Sequence, residues 1–369
     1  MDPIRVGIVG ASPDRGWAIR AHLPALRALP DYRISAVGTS RPDSARAAAD
    51  LFDARPFTDP RALAEHPEVD LVAITVKVPA HAELIRSALA AGKHVYCEWP
   101  LALTTGEARE LAALAARAGV RHVAGLQARY APAVRRAREL ITEGAVGQIL
   151  SVTVHESRGK GAGGVIPAWA TYTLDRDNGA GLLEVAGGHL LSAVRYLLGD
   201  LTELSARLAI RLPYATVPES GAVITVTSPD QLLLTATAGG VPVSAHIHDG
   251  RATGAGTRID ISGTAGDLAI VSGAGGPGGI QMSALHLSGA LGPGRAPQPI
   301  ALGNHGPASD LPLEAVNVAA LYTALATDLR TGAHTVPDFE LAVDLHRLLD
   351  DIRRSDAEGV RIHRDPRAA

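Results

Sequence analysis

The stretch VGIVGASPDRGWA, residues 6–18, places Gly10 and Gly16 where an apolar run gives way to a helical one. Gly10 permits a tight turn, the helix start beyond offers main-chain N–H groups without partners, and Ser12 and Arg15 are residue types that meet phosphate oxygens. That is the chemistry of holding a dinucleotide's pyrophosphate. The match to G-x-G-x-x-G is incomplete, because Ser12 stands at the second glycine and the loop is one residue longer. An ordinary strand-to-helix turn uses the same glycines, so a second signal is needed. AVGTSRPDSA, residues 36–45, supplies one: no acid stands where ribose hydroxyls would be bound, and Ser40 and Arg41 take its place. Arg41 can pair a 2′-phosphate by a charge-assisted contact, so NADP is expected, with NAD as the alternative. The competing reading is a solvated arginine before a proline.

These residues need elements to hold them. From residue 4 to about 125, the short Val- and Ile-rich runs IRVGIVG, RISAVGT, VDLVAITV, KHVYCE and RHVAGLQ alternate with WAIRAHLPALRAL, DSARAAADLF, AELIRSALAAG and TGEARELAALAARAG, which carry apolar residues at helical spacing. Such alternation predicts a doubly wound α/β domain with a parallel sheet over 1–125. After a helix in PAVRRARELITEGAVGQ, strands follow one another: ILSVTVHE, ELSARLAI, AVITVT, LLLTATA, VSAHIH, RIDISG and DLAIVSG. AVITVT and LLLTATA, joined by SPDQ, read as a hairpin. The helix GHLLSAVRYLLG interrupts the strands and two helices close the chain. Residues 126–369 are therefore expected to form an α+β domain with a large, mostly antiparallel open sheet, its last helix free to pack back on the first domain. GAGGPGG and GALGPGRAPQP read as long loops.

The composition narrows the function classes. With 369 residues, 46% of them hydrophobic, the chain can build two cores and is too apolar to be disordered. A formal charge of −3 with scattered cations gives no purchase on a nucleic-acid backbone. One cysteine, Cys97, excludes an internal disulfide and a cysteine zinc cage, and no apolar run is long enough to cross a membrane. The chain opens directly into a strand pattern without a secretory leader's features, so a cytoplasmic protein is expected. His246 and His248 alternate on one strand, yet with no carboxylate or cysteine spacing beside them they do not read as a metal site.

Taken together, VGIVG…GWA…HLPAL, AGKHVYCEWPLA, RHVAGLQARYAPAVRRARELITEGAVGQI and NGAGLLEVAGGH resemble the Gfo/Idh/MocA oxidoreductase family, over nearly the whole length. The longer glycine loop and EW in place of Glu-Lys bring it nearest the branch of the fungal galactose-pathway repressor. The resemblance implies a Rossmann domain, a nicotinamide cofactor and a sugar or polyol-like substrate. The family's Glu-Lys-Pro signature falls on Glu98, Trp99 and Pro100, so the lysine that contacts the reacting hydroxyl is absent. An indole N–H donates a hydrogen bond and cannot shuttle a proton, although its ring can stack on a sugar or nicotinamide or simply fill a wall. The family's second catalytic stretch matches His189 to its histidine and Glu184 to its aspartate, with one extra residue that disturbs an i, i+4 placement.

His189 is the acid/base candidate, because an imidazole titrates near neutrality, with Glu184 or Tyr172 assisting. The dinucleotide contacts implied are Gly10, Ser12, Arg15, Gly16, Trp17, Ser40, Arg41, Val76, His81, Glu98, Trp99 and Gln127. His81 equally suits a helix start, since the asparagine expected three residues earlier is Val78. Arg129 and Tyr130 follow at the domain junction. Trp99, Arg129, Trp169, Tyr172, Asp175, Asn178 and His189 are the substrate candidates, since rings mixed with acid and amide suit a polyhydroxylated ligand. Three outcomes stand: an NAD(P)-dependent oxidoreductase, a cofactor-binding regulator without turnover, or a redox-neutral epimerase or eliminase. A homodimer or homotetramer through the second domain's sheet is the expected assembly.

Overall fold

A computed structural model describes residues 2–254, 256–272, 279–292, 294–303 and 310–365. The apolar runs of the first part form β1 (Ile4–Val9), β2 (Tyr32–Gly38), β3 (Arg55–Phe57), β4 (Leu71–Ile74), β5 (His94–Glu98) and β6 (His122–Gly125). They pair in parallel in the order β3-β2-β1-β4-β5-β6. All four residues of β4 are buried, as a strand covered on both faces requires. The order reverses direction between β1 and β4, so the carboxyl ends of these strands border the crevice in which such sheets bind ligands.

Local chemistry sets the helices between them. Thr104 caps Thr105–Ala118 by accepting the Glu107 N–H at 3.1 Å, and Gly119, in the left-handed region at φ 65°, ends it. Proline opens Pro42–Phe52, where its missing N–H costs no hydrogen bond. β3 and the helix Pro60–Glu65 were not expected from the sequence, because a three-residue edge strand containing Pro56 has too little pattern to register.

The chain divides into two units, Met1–Gln127 with Gly306–His346, and Ala128–His305 with Arg347–Ala369. The first therefore includes the helix Leu313–Thr331. Its buried Tyr322 accepts the Tyr32 hydroxyl on its main-chain oxygen at 2.7 Å, stacks on Tyr96 with ring centres 4.8 Å apart, and places its own hydroxyl 2.8 Å from His22 Nδ1.

In the second unit, β7 (Ile149–Ser157), β8 (Leu201–Ala209), β9 (Tyr214–Thr216), β10 (Val223–Thr225), β11 (Gln231–Ala238), β12 (Val241–His248), β13 (Gly256–Gly263), β14 (Gly266–Ser272), β15 (Leu285–Leu291), β16 (Gln298–Pro299) and β17 (Ile362–His363) follow. Nine of them form one sheet in the order β16-β15-β14-β13-β7-β12-β11-β8-β17, antiparallel except for the parallel pair β7 and β12. One face is apolar: Val152 and Val154 of β7 and Val243, Ala245 and Ile247 of β12 are buried. The other face carries Thr153, His155, Ser244, His246 and His248, exposed or half-buried.

Two expectations are corrected. AVITVT and LLLTATA do not form a hairpin, because β10 pairs with β9 while β11 pairs with β8 and β12. The segment β9–β10 packs its own small core of Ala215, Val217 and Val226 on Ile166 and Ala170, and Asp230 accepts the Arg211 and Leu212 N–H groups at 2.7–2.9 Å. GALGPGRAPQP is also not one loop: Gly289–Leu291 continues β15 against β14, and Gln298 and Pro299 make β16. Ladder hydrogen bonds to a neighbour override the weak strand preference of glycine there. Of GAGGPGG, residues 273–278 lie outside the described residues. Among the described residues, no helix is long and apolar enough to cross a membrane.

Tyr322→Phe leaves a buried imidazole nitrogen of His22 without its hydroxyl and is expected to destabilise the first unit by about 1–3 kcal/mol. Urea denaturation checks this; an unshifted midpoint would show that the hydroxyl is dispensable.

Candidate functional site

In the first unit, Gly10 follows β1 with φ 95°, and a Cβ there would lie 2.7 Å from Val76 Cγ1 and 2.9 Å from Thr75 Oγ1. Glycine is thus required both for the backbone angle and for space. The Gly10 N–H donates to the Gly38 carbonyl at 2.9 Å, tying the loop to the end of β2. Gly16, at φ 105°, faces open space, and Arg15 beside it is exposed. Ser12 is half-buried, and the Trp17 indole Nε1 is buried with no hydrogen-bond partner among the described residues. At the end of β2, Ser40 and Arg41 are exposed, and Arg41 makes no ion pair among the described residues.

The end of β5 is braced from three sides. His81, buried at the start of His81–Ala90, faces the Pro100 carbonyl through Nδ1 at 2.9 Å and the Val76 carbonyl through Nε2 at 3.0 Å. Its pKa is lowered by burial, so the ring is neutral and donates to one carbonyl at a time. Glu98 Oε1 lies 3.0 Å from His22 Nε2, and Oε2 accepts Gln127 Nε2 at 3.4 Å. Gly125 on β6 must be glycine, because a Cβ there would come within 2.9 Å of the Glu98 carboxylate. The Gln127 Oε1 atom is buried without a partner among the described residues. The Trp99–Pro100 bond is cis, and the Trp99 ring, 5% exposed, packs on His346 with ring centres 4.7 Å apart. The two rings are tilted by 48°.

In the second unit, the extra residue between Glu184 and His189 is absorbed by a π-helical turn, Leu182–Gly187, which runs into the α-helix Gly188–Leu198. Glu184 lies within the π turn and His189 in the first turn of the α-helix that follows it. Glu184 accepts Arg353 Nη2 at 2.6 Å. Gly181 leaves room for this carboxylate, since a Cβ there would sit 2.8 Å from Glu184 Oε2 and overlap Ser228 Oγ.

His189 is 2% exposed and its Nδ1 has no partner among the described residues. Burial, aided by the Arg158 charge, pushes its pKa down to about 3. Arg158 is itself buried and makes a two-point pair with Asp249, Nε to Oδ1 at 2.6 Å and Nη2 to Oδ2 at 2.7 Å. Burial raises Glu156 to about 7 despite Arg158, the Thr257 hydroxyl at 3.0 Å and the Ile280 N–H at 2.9 Å. Burial and then Arg158 lower Lys160 to about 7, against the pull of Asp249 and Glu184. Three groups with displaced protonation thus gather around one fixed cation, a pattern associated with functional sites.

The sequence reading missed Glu156, Arg158, Lys160 and Asp249. The available signal was VHESRGK, residues 154–160, where charge enters the end of a strand whose neighbours are apolar. The other candidates are placed as follows. Asp175 caps the turn Arg176–Asn178, accepting Asp177 N–H at 3.1 Å, and Asn178 donates to the Tyr172 carbonyl at 2.9 Å. Tyr172 is half-buried, with its pKa raised by burial, Trp169 is 64% exposed, and the Arg129 guanidinium lies over the Tyr196 ring at 5.0 Å. Tyr130 is half-buried in the short helical turn Gln127–Tyr130.

Residues 4–126 match the profile described as an oxidoreductase family with an NAD-binding Rossmann fold, and residues 132–272 match that of the Gal80p C-terminal domain. The galactose/lactose metabolism regulatory protein GAL80 of Saccharomyces cerevisiae is 30% identical over 295 residues, 74% of this chain and 68% of that protein. The chain belongs to the Gfo/Idh/MocA oxidoreductase family. Its relatives include dehydrogenases. Dehydrogenase aclE of Aspergillus oryzae is 38% identical over 217 residues, 57% of this chain and 59% of aclE, so the match spans less than two thirds of that enzyme. D-glucoside 3-dehydrogenase of Escherichia coli is 32% identical over 198 residues, 53% of this chain and 54% of the enzyme. A super-repressor mutant of Gal80p from S. cerevisiae has the same fold, with a TM-score of 0.87 at 25% identity over 98% of each chain. This Gfo/Idh/MocA chain therefore has both regulators and sugar dehydrogenases among its relatives.

Because Glu156 keeps in the folded state a proton that the unfolded chain loses near pH 4.5, its contribution to stability is present below that pH and disappears as pH rises through about 7. Wild-type stability is expected to fall relative to Glu156→Gln by up to about 1.4 kcal/mol per pH unit across this window. Urea titrations of both proteins at pH 5 and pH 7.5 measure the difference; parallel pH profiles would place the ionisation elsewhere.

Proposed function

We propose that the chain is an NAD(P)-dependent oxidoreductase that moves a hydride between nicotinamide C4 and a carbinol or ketone carbon of a sugar or polyol-like substrate, with NADP preferred. The observation that carries this reading is His189: a buried imidazole held neutral, its Nδ1 without a partner among the described residues, in the first turn of the α-helix that follows the π turn. A neutral imidazole can accept the hydroxyl proton that must leave as a carbinol is oxidised. Lys160, poised to exchange a proton near neutrality, is a second carrier in the same unit and offers the amine chemistry that Trp99 lacks.

The cofactor side fits the residues present. Gly10 allows close approach of a pyrophosphate at the end of β1, and Ser12, Arg15, Gly16 and the partnerless Trp17 N–H surround that loop. Arg41 stands exposed and unpaired where a 2′-phosphate would be recognised, beside Ser40. Val76, Glu98 and Gln127 lie at the ends of neighbouring strands or just beyond them. Trp169, Arg129, Tyr172, Asp175 and Asn178 remain the proposed polar and aromatic contacts for substrate. The dehydrogenase relatives support a carbohydrate substrate class.

A second reading, a cofactor-binding regulator without turnover, is favoured by Trp99. An indole cannot move a proton, and the regulatory relative aligns over 74% of the chain. Binding and turnover separate the two.

Titration followed by nicotinamide fluorescence is expected to give at least about tenfold tighter binding of NADPH than of NADH, and Arg41→Ala should erase the preference. Equal affinities in the wild type would remove Arg41 from that role. Against a panel of sugars and polyols at saturating NADP, His189→Asn should lower kcat by about 10²–10⁴ with cofactor affinity unchanged. Tight NADPH binding with no turnover on the panel would instead establish the regulator.

A further inference from the structure

The face of the nine-stranded sheet opposite the buried apolar side brings together three histidines that no part of the oxidoreductase reading uses. His155 on β7 and His246 on β12 are direct partners in the parallel ladder, and His248 follows two residues on, on the same face. The ring centres of His246 and His248 are 4.8 Å apart, and those of His155 lie 5.9 and 5.4 Å from them. One ligating nitrogen from each ring lies within 4.8 Å of the other two. We propose that His155, His246 and His248 form a binding site for a divalent transition-metal ion of the zinc class.

The donor set defines the ion. Three imidazole nitrogens with no carboxylate suit zinc, copper or nickel and do not suit calcium or magnesium, which take oxygen ligands. A tetrahedral zinc with Zn–N bonds of about 2.0–2.1 Å holds its nitrogens about 3.3 Å apart, so closure needs about an ångström of side-chain rotation. Half-buried rings on a sheet face have room for that movement. Strand geometry supplies the rest: neighbouring strands lie about 4.8 Å apart, and residues i and i+2 project from the same face.

The surroundings orient the rings for lone-pair donation. His246 Nε2 lies 3.2 Å from the Gln231 side-chain oxygen, to which only an N–H can be directed, and this leaves Nδ1 as the free donor of electrons. His248 Nδ1 faces the Asp249 carbonyl at 3.4 Å, which leaves Nε2 free. Metal-ligating histidines are characteristically fixed in this way through their second nitrogen. The neighbouring cations are engaged: Arg258, opposite His155 on β13, pairs with Asp260 through two contacts of 2.7 Å, and Arg251 donates to the Thr253 carbonyl at 2.7 Å. An ion held here would tie together the sheet's only parallel pair among the described strands and present its fourth coordination position outward.

The test uses the full chain, stripped of metal with a chelator and dialysed, then titrated with Zn2+ alone in a calorimeter, with bound zinc counted by elemental analysis. One Zn2+ per chain is expected, together with a rise in Tm. His155→Gln and His246→Gln should each weaken binding by about 100-fold or more and abolish the Tm shift, and Gln231→Leu should weaken it by about 10–100-fold. His286→Gln, a histidine on the same face at β15, should leave binding unchanged. Circular dichroism establishes that each variant is folded, which is expected for exchanges on a solvated sheet face. The proposal is overturned if the wild type takes up no zinc, or if the His155 and His246 variants bind it as well as the wild type does, which would mean an adventitious ion only.

Discussion

Arg158 carries a charge that it cannot shed, and the fold buries it almost completely. A guanidinium taken out of water needs a counter-charge of matched geometry, and Asp249 provides it through two parallel hydrogen bonds. Once that pair is fixed, the remaining polar groups of the second unit adjust to it. Glu156 gains too little from Arg158 to offset its own burial and holds its proton up to about neutrality. Lys160 and His189 feel the cation as repulsion added to desolvation, and both favour their neutral forms. The result is a set of neutral or easily exchanged proton carriers around a single anchored pair, and the functional reading of this unit depends on it.

The first unit solves a different problem at the end of β5. There Glu98 and Trp99 follow one another at the strand end, and neighbouring side chains brace both. His81 holds the turn through main-chain carbonyls, while His22 and Gln127 hold the Glu98 carboxylate. Trp99 closes against His346. These contacts hold the strand end and its turn in place whatever the protein does with a bound ligand, which is why affinity for a cofactor and turnover have to be measured separately.

How much of this was legible depended on the range over which the signal acts. The parallel sheet was readable because β1, β2, β4, β5 and β6 are apolar runs separated by helical periodicity, both local patterns. β3, three residues with a proline, was too short to stand out. The assumed pairing of the strands around SPDQ failed because adjacency in the chain was taken for adjacency in the sheet, whereas Asp230 and a separate small core send β10 to β9. Glycine constraints at Gly10 were visible in the sequence; those at Gly125 and Gly181 were not, since they arise from carboxylates distant in sequence or across a turn. His246 and His248 were seen as a pair and dismissed as a metal site. Their third neighbour, His155, comes from a strand some ninety residues earlier, joined to β12 by a parallel register that no local pattern encodes.

The π turn at Leu182–Gly187 has a consequence for how such a site changes over generations. A helix that holds one residue more than an α-helix needs is a reservoir of length: loss of a single codon would tighten the turn to i, i+4 and leave the flanking helix where it is. The separation of Glu184 and His189 along the chain can therefore pass between five residues and four by one insertion or deletion, without passing through an unfolded ancestor. In this chain the backbone has converted an apparent frameshift of the motif into a change of pitch.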